Sequence, residues 1–250
     1  LTFCQLEVLR HCLPSSIQRT LKELPESLDE TYERILKEIK KPNQDHAHRI
    51  LQCLVVAVRL LRVEELAEVL AVDFDDSSGI TKLKPSWRWE DEEQALLSSC
   101  SSLITILRRN DDSRVIQFSH LSVKEFLTSP RLAASSGGIS RYHIALKPAH
   151  TIWGQICLAI LLCLGGLPEN GIQGRFPLAI YVARNWVTHV QFGNMSSHLQ
   201  MPMEILFDLD KPHFKSWLKL RDVDRPPCYD HGSGLPRTIF FSYLIYLPFT

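Results

Sequence analysis

Apolar residues recur at helical spacing through the first hundred positions. Ser27-Leu-Asp-Glu30 is a capping box: the Ser27 hydroxyl can accept from the third helical N–H while Glu30 reaches back. Behind it Leu28, Tyr32, Ile35, Leu36 and Ile39 form one stripe, and Pro42 ends the helix. Asn43 can cap the next helix, which is apolar on all sides from Ile50 to Val58 and should therefore be central in the fold. In a third helix Val63, Leu66, Ala67 and Leu70 face inward, while Glu64, Glu65 and Glu68 are expected to face water. Residues 73–89 read as a polar loop, broken by Asp73, Asp75, Asp76, Ser77, Ser78, Gly79 and Pro85. A fourth helix, from near Glu90, places Leu96, Ser99, Cys100 and Leu103 on one face.

The period then changes. Residues 103–107 and 114–118 are β-favouring runs on either side of Arg109-Asn110-Asp111-Asp112-Ser113, a hairpin signal. Three helices followed by a two-stranded hairpin is the order of a winged-helix module, a variant of the helix-turn-helix class. Ser122-Val-Lys-Glu125 is a second capping box, opening a short helix that must stop before Pro130. Ala133 to Gly138 is a small-residue linker. Helical spacing resumes from about Ala149 to Leu164, and again where Ala179, Val182, Ala183, Trp186, Val187 and Val190 share a face. Phe214, Trp217 and Leu218 mark a shorter helix after Pro212. The expected fold is mainly α: a winged-helix module (three helices plus β-hairpin) with flanking helical extensions. The expected division is a helical segment at 1–40, the winged helix at 41–132, a helical extension at 141–225 and a divergent apolar tail at 226–250. No internal repeat is visible.

Composition removes several classes. With 28 Lys+Arg against 28 Asp+Glu in 250 residues and 45% apolar residues, the chain has neither the charge nor the low hydropathy of a disordered one. Nor does it carry the cationic excess of a free-standing nucleic-acid binder. Its seven Cys are odd in number, lack a C-x-x-C pair and mostly fall in helical apolar patterns, which points to reduced, buried thiols in a cytoplasmic setting. The chain enters periodicity directly at Leu1, without the charged start of a signal peptide, and reads as a fragment beginning inside an element. The longest apolar stretch, Ile152 to Leu167, is interrupted by Gln155 and three Gly and falls short of the about 20 residues of a membrane span, so it is expected to be a core helix. Residues 238–250 are uncharged and aromatic-rich, an edge strand or an aberrant end of a gene prediction, with a truncated membrane anchor as the alternative.

Catalytic signatures are missing. No G-x-x-x-x-G-K-[ST] cradle occurs, so nucleotide hydrolysis is not centred in these residues. There is no G-x-S-x-G elbow or H-E-x-x-H, and Gly232-Ser233-Gly234 reads as a turn. His46 and His48, two apart on a helix, point to different faces and cannot jointly chelate a metal. The expectation is a non-enzyme without catalytic or metal-binding residues. A DNA-binding regulator is the alternative a winged helix raises, because that class reads the major groove with its third helix. Here that helix opens Glu90-Asp91-Glu92-Glu93, which repels phosphate, and wing residues Arg108, Arg109 and Arg114 are offset by Asp111 and Asp112. No nucleic-acid or membrane partner is expected. The sharpest local feature is His120, after the second wing strand and just ahead of a capped helix. It can reach an anion held by a neighbouring domain, or it is a boundary histidine donating to a backbone carbonyl among core Phe118, Val123, Phe126 and Leu127.

The segment Phe118-Ser119-His120-Leu121-Ser122-Val123-Lys124-Glu125-Phe126-Leu127 resembles the end of the winged helix in NACHT-type NTPases of the NOD-like receptor (STAND) class, where a similar F-x-H-x-S/T-x-x-E-F segment occurs. Residues 24–36, 61–70 and 100–104 resemble the region after the NACHT core in fungal NACHT–ankyrin proteins, and the likeness covers about residues 4 to 222. This region is also called the GPI inositol-deacylase-type winged-helix domain, a label that implies no deacylase activity. The resemblance implies that 1–40 ends an upstream NACHT module carrying the P-loop and Mg²⁺ site. It implies a winged helix that folds back on the nucleotide, with residues 28–39 packed on the NACHT module and ankyrin repeats downstream. It implies that His120 contacts the phosphate of ADP, supplied through that module, since no cofactor is expected from this chain itself. The implied role is a non-catalytic regulatory and interaction segment, with homo-oligomer assembly on activation. The apolar tail stands where ankyrin helices are expected.

Overall fold

The computed structural model describes residues 27–75, 79–167, 172–192 and 197–221. The start at Leu1, the Gly232–Gly234 turn, Cys4, Cys12, Cys228 and the tail from 226 lie outside the described residues.

Helix α1 (Leu28–Glu38) starts as its capping box predicts, with the Ser27 hydroxyl accepting from the Glu30 N–H at 3.2 Å. Its buried face, Tyr32, Ile35 and Leu36, packs against the winged helix itself, where the Tyr32 ring meets Phe126 at 5.5 Å. Helix α2 (Gln44–Val56) buries Ala47, Ile50, Leu51, Cys53, Val55 and Val56 and is central, as expected. Asn43 makes no side-chain cap; its amide instead reaches the Ser98 carbonyl at 3.3 Å. The all-apolar character stops at Val56, and Val58 is exposed.

Strand β1 (Leu61–Arg62) leads into α3 (Val63–Glu68), whose Val63 and Leu66 are fully buried. A two-stranded ribbon, β2 (Val72–Asp73) and β3 (Lys82–Leu83), runs from the residue before the stretch expected to be loop into that stretch. Helix α4 (Glu92–Cys100) buries Ala95, Leu96, Ser99 and Cys100, and Asp91 caps it by accepting from the Gln94 N–H at 2.9 Å. The wing is β4 (Ile104–Arg108) antiparallel to β5 (Arg114–Phe118), in register from Ile104 opposite Phe118 to Arg108 opposite Arg114. Asp112 turns the connection in the left-handed region at φ 61, which Asp tolerates. Strand β1 adds to the free side of β5, Leu61 opposite Ile116, giving a three-stranded sheet in the order β1-β5-β4. Two residues are too few to show a strand period, so only a hairpin was expected.

Helices α5 (Leu121–Leu127) and α6 (Pro130–Ala133) close the module. Consecutive left-handed Gly137 and Gly138 then release the chain toward the extension. There α7 (Leu146–Cys163) carries the expected core residues, with Trp153, Ile156, Cys157, Leu158 and Ile160 at zero exposure. Among the described residues it is the helix long and apolar enough to cross a membrane, and half of it is buried inside the fold. Around it lie α8 (Ile172–Arg175), α9 (Ala179–Phe192), α10 (Ser197–Phe207) and α11 (His213–Arg221). At Gly154 an added Cβ would lie 3.2 Å from both Leu199 and Val190, so this glycine sets how closely α10 and α9 approach. Cys53, Cys100 and Cys157 are buried free thiols, which burial pushes well up; Cys163 is half-buried.

Glu65 and Glu68 correct the sequence reading most sharply: they are 1% and 3% exposed. The reading assumed one covered face for α3, but the extension covers the other. Glu65 accepts the Arg62 N–H at 2.9 Å, capping its own helix, and is held by both terminal nitrogens of Arg59 at 2.8 and 2.7 Å. Glu68 binds Arg88 and also accepts the Leu178 N–H at 2.8 Å, at the entry to α9. Burial pushes the Glu68 carboxyl up, opposed by that N–H and by Arg88. Further ties cross the same seam. Trp153 Nε1 donates at 2.9 Å to the carbonyl of Cys53, one of the last-turn acceptors of α2, and the Val58 N–H donates to the Tyr181 hydroxyl at 3.2 Å.

Tyr181 also contacts His189 Nε2 at 2.9 Å, and His189 Nδ1 lies 3.0 Å from His150 Nδ1, with the Trp153 indole stacked on His189. His189 is wholly buried, and burial followed by the neighbouring His150 lowers its pKa from 6.5 to about 3.

Glu68→Ala strands Arg88 and the Leu178 N–H in a buried site and should cost about 3–5 kcal/mol in urea unfolding, with Glu68→Gln costing less because its amide oxygen still accepts. Because the folded pKa of His189 lies below 6.5, the unfolded chain takes up the proton first. Stability should be complete above 6.5 and decline as pH falls from there toward about 3. The slope per fully titrating group is about 1.4 kcal/mol per pH unit, and His150 and His48 act in the same direction. Denaturation midpoints that stay flat from 6.5 down to the carboxylate range would count against a neutral buried His189.

Candidate functional site

The end of β5 and the start of α5 place His120. The residue is extended, at φ −151 and ψ 149, and its exposed ring turns back over the first turn of α5. Nδ1 accepts the Ser122 N–H at 3.2 Å and lies 2.6 Å from the Ser122 hydroxyl, which in turn lies 2.8 Å from the hydroxyl of Tyr32 on α1. His120 is therefore the N-cap, and Ser122, read from the sequence as the capping residue, sits inside the helix. The ring nitrogen occupies the place of the Asn or Asp side-chain oxygen in an ordinary cap. The sequence signal was available, since Ser122 follows His120 by two residues, the offset of a cap to its N–H donor. Histidine is simply not among the usual capping residues. The contact also differs from the carbonyl bond expected of a boundary histidine, because the ring accepts here. Beside it Leu121 is 71% exposed, an apolar residue on the same outward corner.

The surface that would read DNA is partly paired within the protein. Glu93 at the start of α4 binds Arg114 of the wing at 2.9 Å, so this wing cation is offset by the acidic helix itself, whereas Asp111 and Asp112 were expected to offset it. Burial, and then the nearby Glu64 carboxylate, raises the Glu92 carboxyl, an environment crowded with negative charge. His46 is exposed, and His48 is half-buried, edge-on to Tyr142 at 6.1 Å. Among the described residues no group of three or more His, Cys, Asp or Glu side chains converges on a metal position.

Three helices and a wing in this order define a winged-helix protein. Residues 32–137 match the model of the GPI inositol-deacylase winged helix domain, so that stretch of the chain is similar to domains of this type. The match begins at Tyr32 and so takes in most of α1. Over 226 residues, 88% of this chain, the sequence is 32% identical to the azaphilone pigments biosynthesis cluster protein L of Monascus ruber. The chain spans about half of that relative, 46% of its length. No solved structure matches the chain.

Removing the cap should be measurable without any ligand. His120→Ala is expected to lower stability by about 0.5–2 kcal/mol, whereas His120→Asn, whose side-chain oxygen can take the Ser122 N–H, should stay close to the parent. Urea midpoints of the two variants check this.

Proposed function

We propose that this chain is a non-catalytic regulatory segment of a NACHT-type signal-transducing NTPase, one that couples nucleotide state to conformational change and assembly. The observation that carries the reading is the outward-facing His120 ring beside exposed Leu121, at the corner of a winged helix similar to domains of this type. In the proposed closed state an upstream NACHT module holds ADP, and His120 donates Nε2–H to a phosphate oxygen. Leu121 supplies apolar contact to the same neighbour. A hydrogen bond to a charged group contributes about 1.5–3 kcal/mol, so its loss shifts a closed-to-open equilibrium by about one to two orders of magnitude. Nucleotide exchange then releases the winged helix, which moves as a body with its extension and uncovers a surface for homo-oligomer assembly. Ankyrin repeats downstream would respond to the trigger.

DNA recognition is the weaker reading. The acidic start of the third helix repels phosphate, and of the wing cations Arg114 is already paired with Glu93, which leaves only exposed Arg108 and Arg109 for a phosphate backbone.

The test joins this segment to its upstream module and measures thermal stability with and without ADP. His120→Asp keeps a capping oxygen for the Ser122 N–H but is acceptor-only and offers no outward donor, so it should retain the unliganded melting temperature and lose most of the ADP-dependent rise. An undiminished rise would remove His120 from the nucleotide contact.

A further inference from the structure

The hydrogen-bond directions around His120 can be worked out from one group that has no choice. A backbone N–H only donates, and the Ser122 N–H points at Nδ1 from 3.2 Å. Nδ1 must therefore present its lone pair, and the neutral ring carries its proton on Nε2. The Ser122 hydroxyl, 2.6 Å from the same nitrogen, then has to donate to it, because two lone pairs at that separation repel. With its proton so used, the Ser122 oxygen can only accept at its 2.8 Å contact, and Tyr32 is the donor.

We infer that Tyr32 and Ser122 are positioning residues: the relay Tyr32 O–H to Ser122 O–H to His120 Nδ1 locks the ring in its Nε2–H form and presents one outward donor. The lock makes the corner selective for an acceptor-only oxygen, as on a phosphate or carboxylate, and closes Nε2 to metal ligation, which needs a lone pair there. It also links the donor to the position of α1. Tyr32 is wholly buried on that helix, packed on Phe126 of α5, so a displacement of α1 relative to α5 beyond the reach of one hydrogen bond disconnects the relay. The inference rests on the proposed phosphate-facing role of His120 for its purpose, but not for its measurement.

The experiment is ring-nitrogen NMR of the whole chain above the titration range of histidine, with the His120 signals, among 10 histidines, identified by their loss in His120→Asn. The free side chain already favours the Nε2–H form, so the readout is the change between variants. Ser122→Ala should raise the minor Nδ1–H population about threefold to tenfold, the scale of one lost hydrogen bond. Tyr32→Phe, which keeps the ring packing on Phe126, should raise it less, and Ser122→Thr should restore the parent ratio. A merely structural role for these hydroxyls would leave the ratio untouched. If Ser122→Ala has the parent's tautomer ratio, or if the parent shows Nδ1–H as its main form, the relay is overturned. Either result is independent of whether ADP is bound, so a failed relay and a failed nucleotide contact are told apart.

Discussion

The Glu68 carboxylate joins the two halves of the described chain. It arises on α3 in the middle of the winged helix, binds Arg88 from the segment before α4, and accepts the N–H of Leu178 where the extension turns into α9. A carboxylate enters an interior only with its acceptor capacity filled, and here both oxygens are used by groups from different parts of the sequence. The same Arg88 guanidinium lies over Phe176 at 5.2 Å, so charge and packing converge on one point. An apolar pair could hold such a seam as tightly. The ionic one admits a single arrangement, since any sliding of the extension over α3 strands a buried charge.

The other contacts follow from that anchoring. With α9 held at Leu178, Tyr181 comes under Val58 and His189 comes against Trp153, which reaches back to the open end of α2. A second aromatic group, Trp186, Phe207, Phe214 and Trp217, then fastens α10 and α11 to α9, with Trp217 Nε1 donating to the Ala183 carbonyl at 2.9 Å. The buried residues run without a break from Tyr32 to Trp217. In the proposed switch this continuity matters, because a segment that relays a change at His120 to assembly must move without internal slip.

What could be read in advance depended on how local the cause was. Helix α1, the third winged-helix member α4 and the wing were legible because a cap, a helical stripe and two β-favouring runs are each complete within a dozen or so residues. The core role of α7 was legible from length and its Gly interruptions. The burial of Glu65 and Glu68 was hidden, since amphipathic reasoning assigns one covered face and knows nothing of a second layer arriving from a hundred residues away. Strand β1 and the β2–β3 ribbon were too short to carry a period. Helix α10 was missed because Pro202 interrupts it and its apolar residues form no clear stripe. At the site, His120 itself stood out, but its partners did not. Tyr32 looked like one more stripe residue, and Ser122 looked like the cap, because only the folded chain brings the two hydroxyls to the same ring.

The central physical claim is that winged helix and extension form one cooperative body presenting a single oriented donor at His120. Native-state hydrogen exchange under low denaturant tests it most directly, by comparing the slowest amides of α4 with those of α9. A single body predicts the same opening free energy and the same denaturant dependence for both, the signature of one global unfolding event. Exchange of α9 through a lower-energy opening while α4 stays protected would show two units that separate, and would contradict the account.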